Sequence, residues 1–188
     1  MAASRSPSRG ERYVALLRGV NVGGKHRLPM KDLAALFDTA GCSNVRTYIQ
    51  SGNVVFSASP AVVKRVPALI AAAISRKFGF DSPVIVRSTS EMRAIATHNP
   101  FVGVEPNPAL MHVVFLADAP TKTAVASLDP KRSPPDRFVV RGRDIYLHVP
   151  NGAGRSKLTA AYFDSTLKTI SSARNWNTVL ALLEMLGE

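Results

Sequence analysis

The stretch that decides the fold covers residues 13–56 and reads YVALLRGVNVGGKHRLPMKDLAALFDTAGCSNVRTYIQSGNVVF. It opens with a short apolar run, typical of a buried strand, that ends at Arg18. A glycine-rich loop follows, and apolar residues then recur at helical spacing until Gly41, which favours the end of a helix. Two further apolar runs enclose residues 51–53, as in a hairpin. The stretch therefore predicts the order β-α-β-β, with two polar loops at strand ends.

The rest of the first half continues this alternation. Apolar residues at every fourth position predict a second helix that ends at Gly79, and Pro67 either kinks this helix or marks its first turn. A strand over residues 84–87 and a short helix over residues 90–97, capped by Ser90, complete the half. The resulting order, β-α-β-β-α-β and a helix, is that of a ferredoxin-like fold.

The second half shows the same order of elements, without a residue-level repeat. Its predicted elements are strands at 110–117, 138–141, 145–149 and 169–171, and helices at 121–128, 157–163 and 176–186. The sequence thus predicts an α+β protein of two ferredoxin-like halves in tandem, each with an extra C-terminal helix. The predicted parts are a disordered tail at 1–11, the first half at 12–98, a linker with prolines at 99–109, and the second half at 110–188.

Composition narrows the class of protein. The 188 residues include 24 Lys and Arg against 13 Asp and Glu, a net charge of +11, so phosphates, nucleic acid and acidic metabolites are the expected partners. Long basic runs are absent, so charge alone favours nucleic acid only slightly. No apolar run approaches the roughly 20 residues of a membrane helix, and no hydrophobic leader opens the chain. With a single cysteine, Cys42, these features predict a cytoplasmic protein without a membrane partner.

The first polar loop matches the pattern G-x-x-x-x-G-K after a strand. A P-loop needs Ser or Thr next and a helix at once, whereas His26 follows here and Pro29 delays the helix, so nucleotide hydrolysis is not predicted. The glycines still allow backbone amides to converge on an anion, with Arg18 and Lys25 supplying charge. The alternative is a plain turn with Lys25 in solvent.

Two stretches in the second half have the same basic and amide-rich character. In residues 150–158 (PNGAGRSKL), Ser156 is predicted to cap the helix that follows, with Arg155 and Lys157 beside its positive end. An ordinary cap with exposed basic side chains is the alternative. In residues 174–177 (RNWN), Asn175 is predicted to cap the last helix, and Trp176 either packs in the core, walls a pocket or stacks on a base.

Groups for catalysis are missing from these loops. The four histidines lack metal-ligand spacing, so no metal is predicted, and the loops contain no carboxylate for acid–base chemistry. The hydrogen-bond donors of these loops are suited to binding a negatively charged group. No cofactor is predicted. The candidate ligand-binding residues are Arg18, Asn21, Gly23, Gly24, Lys25, Gln50, Ser51, Asn53, Arg155, Ser156, Lys157, Arg174, Asn175, Trp176 and Asn177.

Four motifs carry a family resemblance: ALLRGVNVGGK (15–25), VRTYIQSGNVVF (45–56), GRSKL (154–158) and RNWNTV (174–179). Together they resemble the bacterial family catalogued as domain of unknown function 1697, over nearly the whole chain. The resemblance implies a cytoplasmic pair of ferredoxin-like halves and no known activity.

The hypothesis from sequence is therefore an anion-binding protein whose four motifs converge on one site. A nucleic-acid-binding module, with Tyr13 or Phe56 stacking on bases, is the first alternative. A transferase that uses a phosphorylated cosubstrate is the second, and His26 is a candidate for its missing base. The sequence gives no oligomeric state.

Overall fold

The computed structural model describes residues 11–187, and the chain divides into two compact units, Met1–Thr89 and Ser90–Glu188. Each unit combines a four-stranded antiparallel sheet with helices, so the fold is α+β, as predicted. The predicted tail lies outside the described residues except for Glu11, which opens the first strand and is paired with Ala58. No helix in the described part is long and apolar enough to cross a membrane.

The first unit has four strands and three helices. They are β1 (Glu11–Leu17), α1 (Met30–Thr39), β2 (Ser43–Tyr48), β3 (Asn53–Ala58), α2 (Pro60–Val63), α3 (Val66–Phe78) and β4 (Val84–Ser88). The strands lie in the order β2-β3-β1-β4, and all neighbours are antiparallel. The second predicted helix is thus two helices, and Pro67 lies in the first turn of α3, where a missing N–H costs nothing.

One face of this sheet packs against the helices. Leu33 and Phe37 of α1, with Ile70 and Ile74 of α3, are buried in a single apolar cluster against β1 and β3. Cys42 belongs to the same cluster, and burial raises the pKa of its thiol to about 11, so the thiol has a packing role.

The second unit repeats the arrangement. It contains most of α4 (Thr89–Thr97), then β5 (Met111–Leu116), α5 (Lys122–Ala126), β6 (Arg137–Arg141), β7 (Asp144–His148), α6 (Ala160–Leu167), β8 (Ser171–Asn175) and α7 (Trp176–Gly187). The strand order is β6-β7-β5-β8, again antiparallel throughout. The boundary between the units falls at Thr89, so α4 and residues 99–109 pack with the second unit, unlike the predicted division. The Tyr146 hydroxyl, for example, donates to the Ile95 carbonyl of α4 at 3.2 Å.

Several predicted helix and strand ends are wrong. Ser90 does not cap α4, because the helix already begins at Thr89. Ser156 does not cap α6, because a 3₁₀ turn (Ala153–Arg155) delays the helix and Thr159 is its cap. The last strand is also later and longer than residues 169–171, and it includes Arg174.

The two units share a buried arginine at one register position. Arg87 of β4 is paired with Val14 of β1, and Arg174 of β8 is paired with Val113 of β5. Both arginines are buried, and each donates to the carbonyl of the preceding residue. A helix begins two residues after each of them. The units therefore correspond at this position, which the sequence pattern did not reveal.

Candidate functional site

The first polar loop is folded around the side chain of Asn21. Its amide nitrogen donates to the carbonyls of Leu28 (2.9 Å) and Gln50 (2.8 Å), and its Oδ1 accepts the Leu28 N–H at 2.8 Å. Asn21 has a φ of 55°, a left-handed conformation that asparagine tolerates. Asn21 therefore joins the two polar loops, and these contacts already use its polar atoms.

The second polar loop packs closely on the first. The Leu17 N–H donates to the Gly52 carbonyl at 2.8 Å. A Cβ at position 52 would lie 2.6 Å from Cγ2 of Val20 and 2.7 Å from Cβ of Leu17, and Gly52 has a φ of +73°. Only glycine fits there without displacement of its neighbours.

Asn53 holds the second loop from inside. It is fully buried and donates from Nδ2 to the Tyr48 carbonyl at 3.2 Å and to Ser51 Oγ at 2.9 Å. The polar groups of Ser51 and Asn53 are thus engaged within the unit. Both residues stabilise the conformation of the loop, and these contacts turn their polar groups toward the protein.

Among the predicted site residues of the first unit, the glycines, Lys25 and Gln50 face solvent. Gly23, Gly24, Lys25 and Gln50 are exposed, and both glycines have positive φ. Within residues 11–187, the Lys25 ammonium and the Gln50 side-chain amide have no hydrogen-bond partner. Arg18 is half-buried, and its backbone is tied to Pro83 at 3.0 Å and to the Ser82 hydroxyl at 2.9 Å. The loop therefore offers donors on a fixed backbone.

His26 is held in place by its own contacts. Its Nδ1 lies 3.1 Å from the Gly19 carbonyl, and its ring stacks on Phe80 with centroids 4.6 Å apart. A carbonyl at Nδ1 requires that nitrogen to carry the proton. These contacts give His26 a structural role in the loop, and no carboxylate contacts the ring among the described residues.

In the second unit, residues 155–157 form a rigid basic turn. Ser156 Oγ accepts the Leu158 N–H at 3.0 Å, and the Lys157 N–H donates to Ser133 Oγ at 3.0 Å. Arg155 and Lys157 are exposed, and their side chains have no hydrogen-bond partner in the described part of the chain. The turn thus has the same character as the first-unit loop, a fixed backbone with free cations.

Arg174 and Asn175 are engaged inside the second unit. Arg174 is 8% exposed, and its Nη1 donates to Ser172 Oγ at 2.9 Å and to the Ala173 carbonyl at 2.7 Å. Burial lowers the pKa of this guanidinium to about 10. Asn175 Oδ1 accepts the Asn177 N–H at 3.0 Å, which confirms the predicted cap, and Nδ2 donates to the Ala109 carbonyl at 2.9 Å.

Trp176 is buried and lines a cavity of about 390 Å³. The other lining residues are Val102, Gly103, Glu105, Pro106, Pro108 and Met111. The lining is mostly apolar, with the Glu105 carboxylate as its only charged group. Trp176 thus packs in the core and also lines a cavity, which are two of the three roles that the sequence left open.

The sequence pattern missed a hydrogen bond between a buried histidine and a half-buried glutamate beside this cavity. His148 Nε2 lies 2.7 Å from Glu105 Oε2, and His148 Nδ1 faces Arg137 Nη2 at 3.3 Å. Hydrogen bonds from the Asn107 backbone N–H and from His148 hold the pKa of Glu105 below its ordinary value of 4.5. Glu105 and His148 are 43 residues apart, so no local sequence pattern predicts their contact. The pair fastens residues 99–110 to the sheet.

The aromatic residues of the nucleic-acid alternative are not available for stacking. Tyr13 and Phe56 lie in the apolar cluster of the first unit, stacked on each other with centroids 5.7 Å apart, so neither can stack on a base. The described residues contain no group of three or more His, Cys, Asp or Glu side chains that would hold a metal ion.

Within each unit the structure brings the predicted motifs together. In the first unit both motifs lie at the C-terminal end of β1, where Leu16 is paired with Asn53. In the second unit they lie at the N-terminal end of β5, where Met111 is paired with His148 and His112 with Asn175. The motifs thus occupy opposite ends of equivalent strands. The convergence of all four motifs on one site stays a prediction.

Comparisons with known proteins agree with this architecture. A family model described as "Protein of unknown function (DUF1697)" matches residues 11–146. The solved structure of the conserved bacterial protein SP0830 from Streptococcus pneumoniae is similar, with a TM-score of 0.68 and 21% sequence identity over 94% of this chain and 98% of that one. At this identity the likeness concerns the fold alone. No curated protein matches the chain.

Proposed function

Since the chain belongs to the DUF1697 family of proteins of unknown function, we propose a function from its own residues: it binds a small anionic ligand. Each unit offers its own binding groups: the exposed cation Lys25 with Arg18 and Gln50 in the first unit, and the exposed cations Arg155 and Lys157 with Asn177 in the second. One observation carries this proposal. The loops are fixed by internal hydrogen bonds, while the side chains of Lys25, Arg155 and Lys157 have no hydrogen-bond or ion-pair partner among residues 11–187.

A fixed backbone favours binding because little conformational entropy is lost when the ligand arrives. Charged donors also form the stronger class of hydrogen bonds to phosphate and carboxylate oxygens. The side chains of Asn21, Ser51, Asn53, Ser156 and Asn175 support these loops from behind. In this proposal they position the cations, and contact with the ligand falls to the exposed groups.

We propose further that each unit is a ferredoxin-like fold and that the two arose by duplication. The support is the shared order β-α-β-β-α-β, the shared strand order 2-3-1-4 within each sheet, and the equivalent arginines Arg87 and Arg174. An experimental structure with a different strand order in either unit would contradict this assignment.

A thermal-shift screen at constant ionic strength tests the ligand proposal. The panel holds inorganic phosphate, sugar phosphates, nucleotides, dicarboxylates and short RNA, each compared with sodium chloride of equal ionic strength. A ligand at 100 times its Kd stabilises the native state by about 2.7 kcal/mol, so a true ligand raises Tm beyond the chloride control.

Variants localise the effect. Lys25→Gln and Lys157→Gln should each reduce the shift, whereas Lys122→Gln, an exposed cation of α5 outside the motifs, should leave it unchanged. Identical shifts for all anions and chloride would contradict the proposal. A shift with RNA alone would favour a nucleic-acid partner instead.

A further inference from the structure

Two segments of the second unit bring four cations together. Lys131 and Arg132 lie in one segment, Arg155 and Lys157 in the other, and all four are exposed. Two hydrogen bonds join the segments: Arg132 Nε donates to the Lys157 carbonyl at 3.0 Å, and the Lys157 N–H donates to Ser133 Oγ at 3.0 Å. We call these four residues the basic cluster. Lys131 and Arg132 belong to none of the sequence motifs.

The guanidinium of Arg132 is held in one orientation. Its central carbon lies 4.0 Å from the centroid of the Tyr162 ring, a cation–π contact. The Tyr162 hydroxyl is itself fixed, because it accepts the Asp129 N–H at 2.8 Å. With Nε bound to the Lys157 carbonyl, both terminal nitrogens remain without a hydrogen-bond partner among residues 11–187. A fixed planar guanidinium with two free N–H donors is the geometry that binds two oxygens of one phosphate.

Nearby carboxylates do not neutralise the basic cluster. Asp129 Oδ1 accepts the Lys131 backbone N–H at 2.8 Å, and the buried Asp136 accepts the Ser133 hydroxyl at 2.7 Å. Within the described part of the chain, none of the four cations forms an ion pair. Four like charges on joined segments repel one another, and a dianion relieves this repulsion better than a monoanion.

We propose that the basic cluster binds the phosphate of a phosphomonoester, with Arg132 as its bidentate anchor and Lys157, Arg155 and Lys131 as neutralising charges. This inference rests on the proposed function and narrows it to a ligand class and a subsite. The stack on Tyr162 orients the anchor before the ligand arrives, which lowers the entropy lost on binding.

An NMR titration of the full chain tests the subsite at pH 7.5 and constant ionic strength. The probes are glycerol 3-phosphate, inorganic phosphate, sulfate and dimethyl phosphate. We expect the first two to shift amides of residues 131–133 and 155–157 and to bind at least about tenfold more tightly than dimethyl phosphate, a monoanion. Binding of glycerol 3-phosphate should weaken at pH 5.5, because the second phosphate pKa is about 6. Equal or tighter binding of dimethyl phosphate would overturn the assignment.

Two variants separate geometry from charge. Arg132→Lys keeps the charge but loses the planar pair of donors, and we expect about tenfold weaker binding of glycerol 3-phosphate. Lys122→Gln removes an exposed charge outside the basic cluster and should bind glycerol 3-phosphate within about twofold of the wild type. An Arg132→Lys protein that binds like the wild type would overturn the role of the anchor.

The outcomes also distinguish this inference from the broader proposal. Anion binding that is lost in Lys25→Gln but kept in Arg132→Lys would leave the proposed function standing and overturn the subsite. No shift with any anion would overturn both.

Discussion

Gly52 packs so closely on Val20 and Leu17 that no side chain, not even a Cβ atom, fits at this position. Gly24 offers a matched comparison, because its φ of +74° is nearly that of Gly52 at +73°, but nothing lies within 4 Å of a Cβ built on it. Replacement of either glycine by alanine meets the same backbone penalty, and only at Gly52 does a steric clash follow. The pair therefore separates backbone strain from packing.

We predict that Gly52→Ala lowers the free energy of unfolding by about 3 kcal/mol or more, and Gly24→Ala by about 1–2 kcal/mol. Urea unfolding of both variants measures the difference. Equal losses would mean that the contacts of Gly52 with Val20 and Leu17 relax freely.

Residue types alone did not reveal which polar side chains are available. Asn21, Asn53 and Arg174 were predicted to bind a ligand because polar groups gather in their motifs, yet each is engaged by carbonyl or hydroxyl groups of its own unit. Asn21 donates to the Gln50 carbonyl, which lies 29 residues away in the chain. Tertiary structure therefore decides whether such a side chain points into the unit or into solvent. Lys25, Arg155 and Lys157 are exposed, and their part in ligand binding stays a prediction. Arg132 was missed, because its orientation depends on Tyr162 and Lys157.

At the scale of elements, the start of α6 depends on Thr159. Its Oγ1 accepts the Tyr162 N–H at 3.2 Å, whereas Ser156 caps only the turn before the helix. We predict that Thr159→Ala lowers the free energy of unfolding by about 1 kcal/mol and speeds hydrogen exchange of the Tyr162 amide.

Thr159→Ser should restore both properties, since serine is an equally good cap. Ser156→Ala is the matched control, and it should leave exchange of the Tyr162 amide unchanged. Faster exchange in Ser156→Ala than in Thr159→Ala would return the cap to Ser156.

The segment between α4 and β5 is fastened by Glu105, which gives it a pH dependence. The folded pKa of Glu105 lies below its ordinary value of 4.5, so the unfolded chain takes up a proton at a higher pH than the folded chain. Stability from this group is therefore present above about pH 4.5 and is lost as the pH falls through the folded pKa.

We predict that Glu105→Gln flattens the fall in stability between pH 5 and pH 3, as measured by urea unfolding at several pH values. Glu184→Gln, an exposed position on α7, should keep the wild-type slope. A slope that is unchanged by Glu105→Gln would show that the contacts with His148 and Asn107 contribute no pH-dependent stability.

Short apolar runs in the sequence predicted seven of the eight described strands. The eighth was predicted at residues 169–171, whereas β8 is Ser171–Asn175. Element ends were predicted less well. The 3₁₀ turn Ala153–Arg155 gives no periodic signal, so the start of α6 was placed too early. β8 extends to Asn175 because it is paired with β5. The residues of β8 are mostly short and polar, so their sequence does not predict a strand there.

At the scale of the whole molecule, the net charge of +11 sets a response to salt. Screening lengths fall from about 30 Å at 0.01 M to about 8 Å at 0.15 M, which weakens repulsion among exposed cations. We predict that sodium chloride over this range stabilises the protein by about 1 kcal/mol, or about 2–4 °C in Tm.

A double variant, Arg76→Gln with Lys122→Gln, removes two exposed positive charges and should reduce this salt effect. Phosphate at equal ionic strength should raise Tm further than chloride, since binding adds to screening. A Tm that falls with added salt would mean that favourable ion pairs outweigh the repulsion.

The two halves carry their polar loops at opposite ends of β1 and β5, which makes them non-interchangeable despite a shared plan. A chimera assembled from two copies of either half would retain the sheets and helices but would lack the polar loops of the other half. If the two halves arose by duplication, they differ in the end of the sheet at which each carries its polar loops. The proposed anion binding would then depend on the loops in which the halves differ, and the strand order that they share would only support those loops.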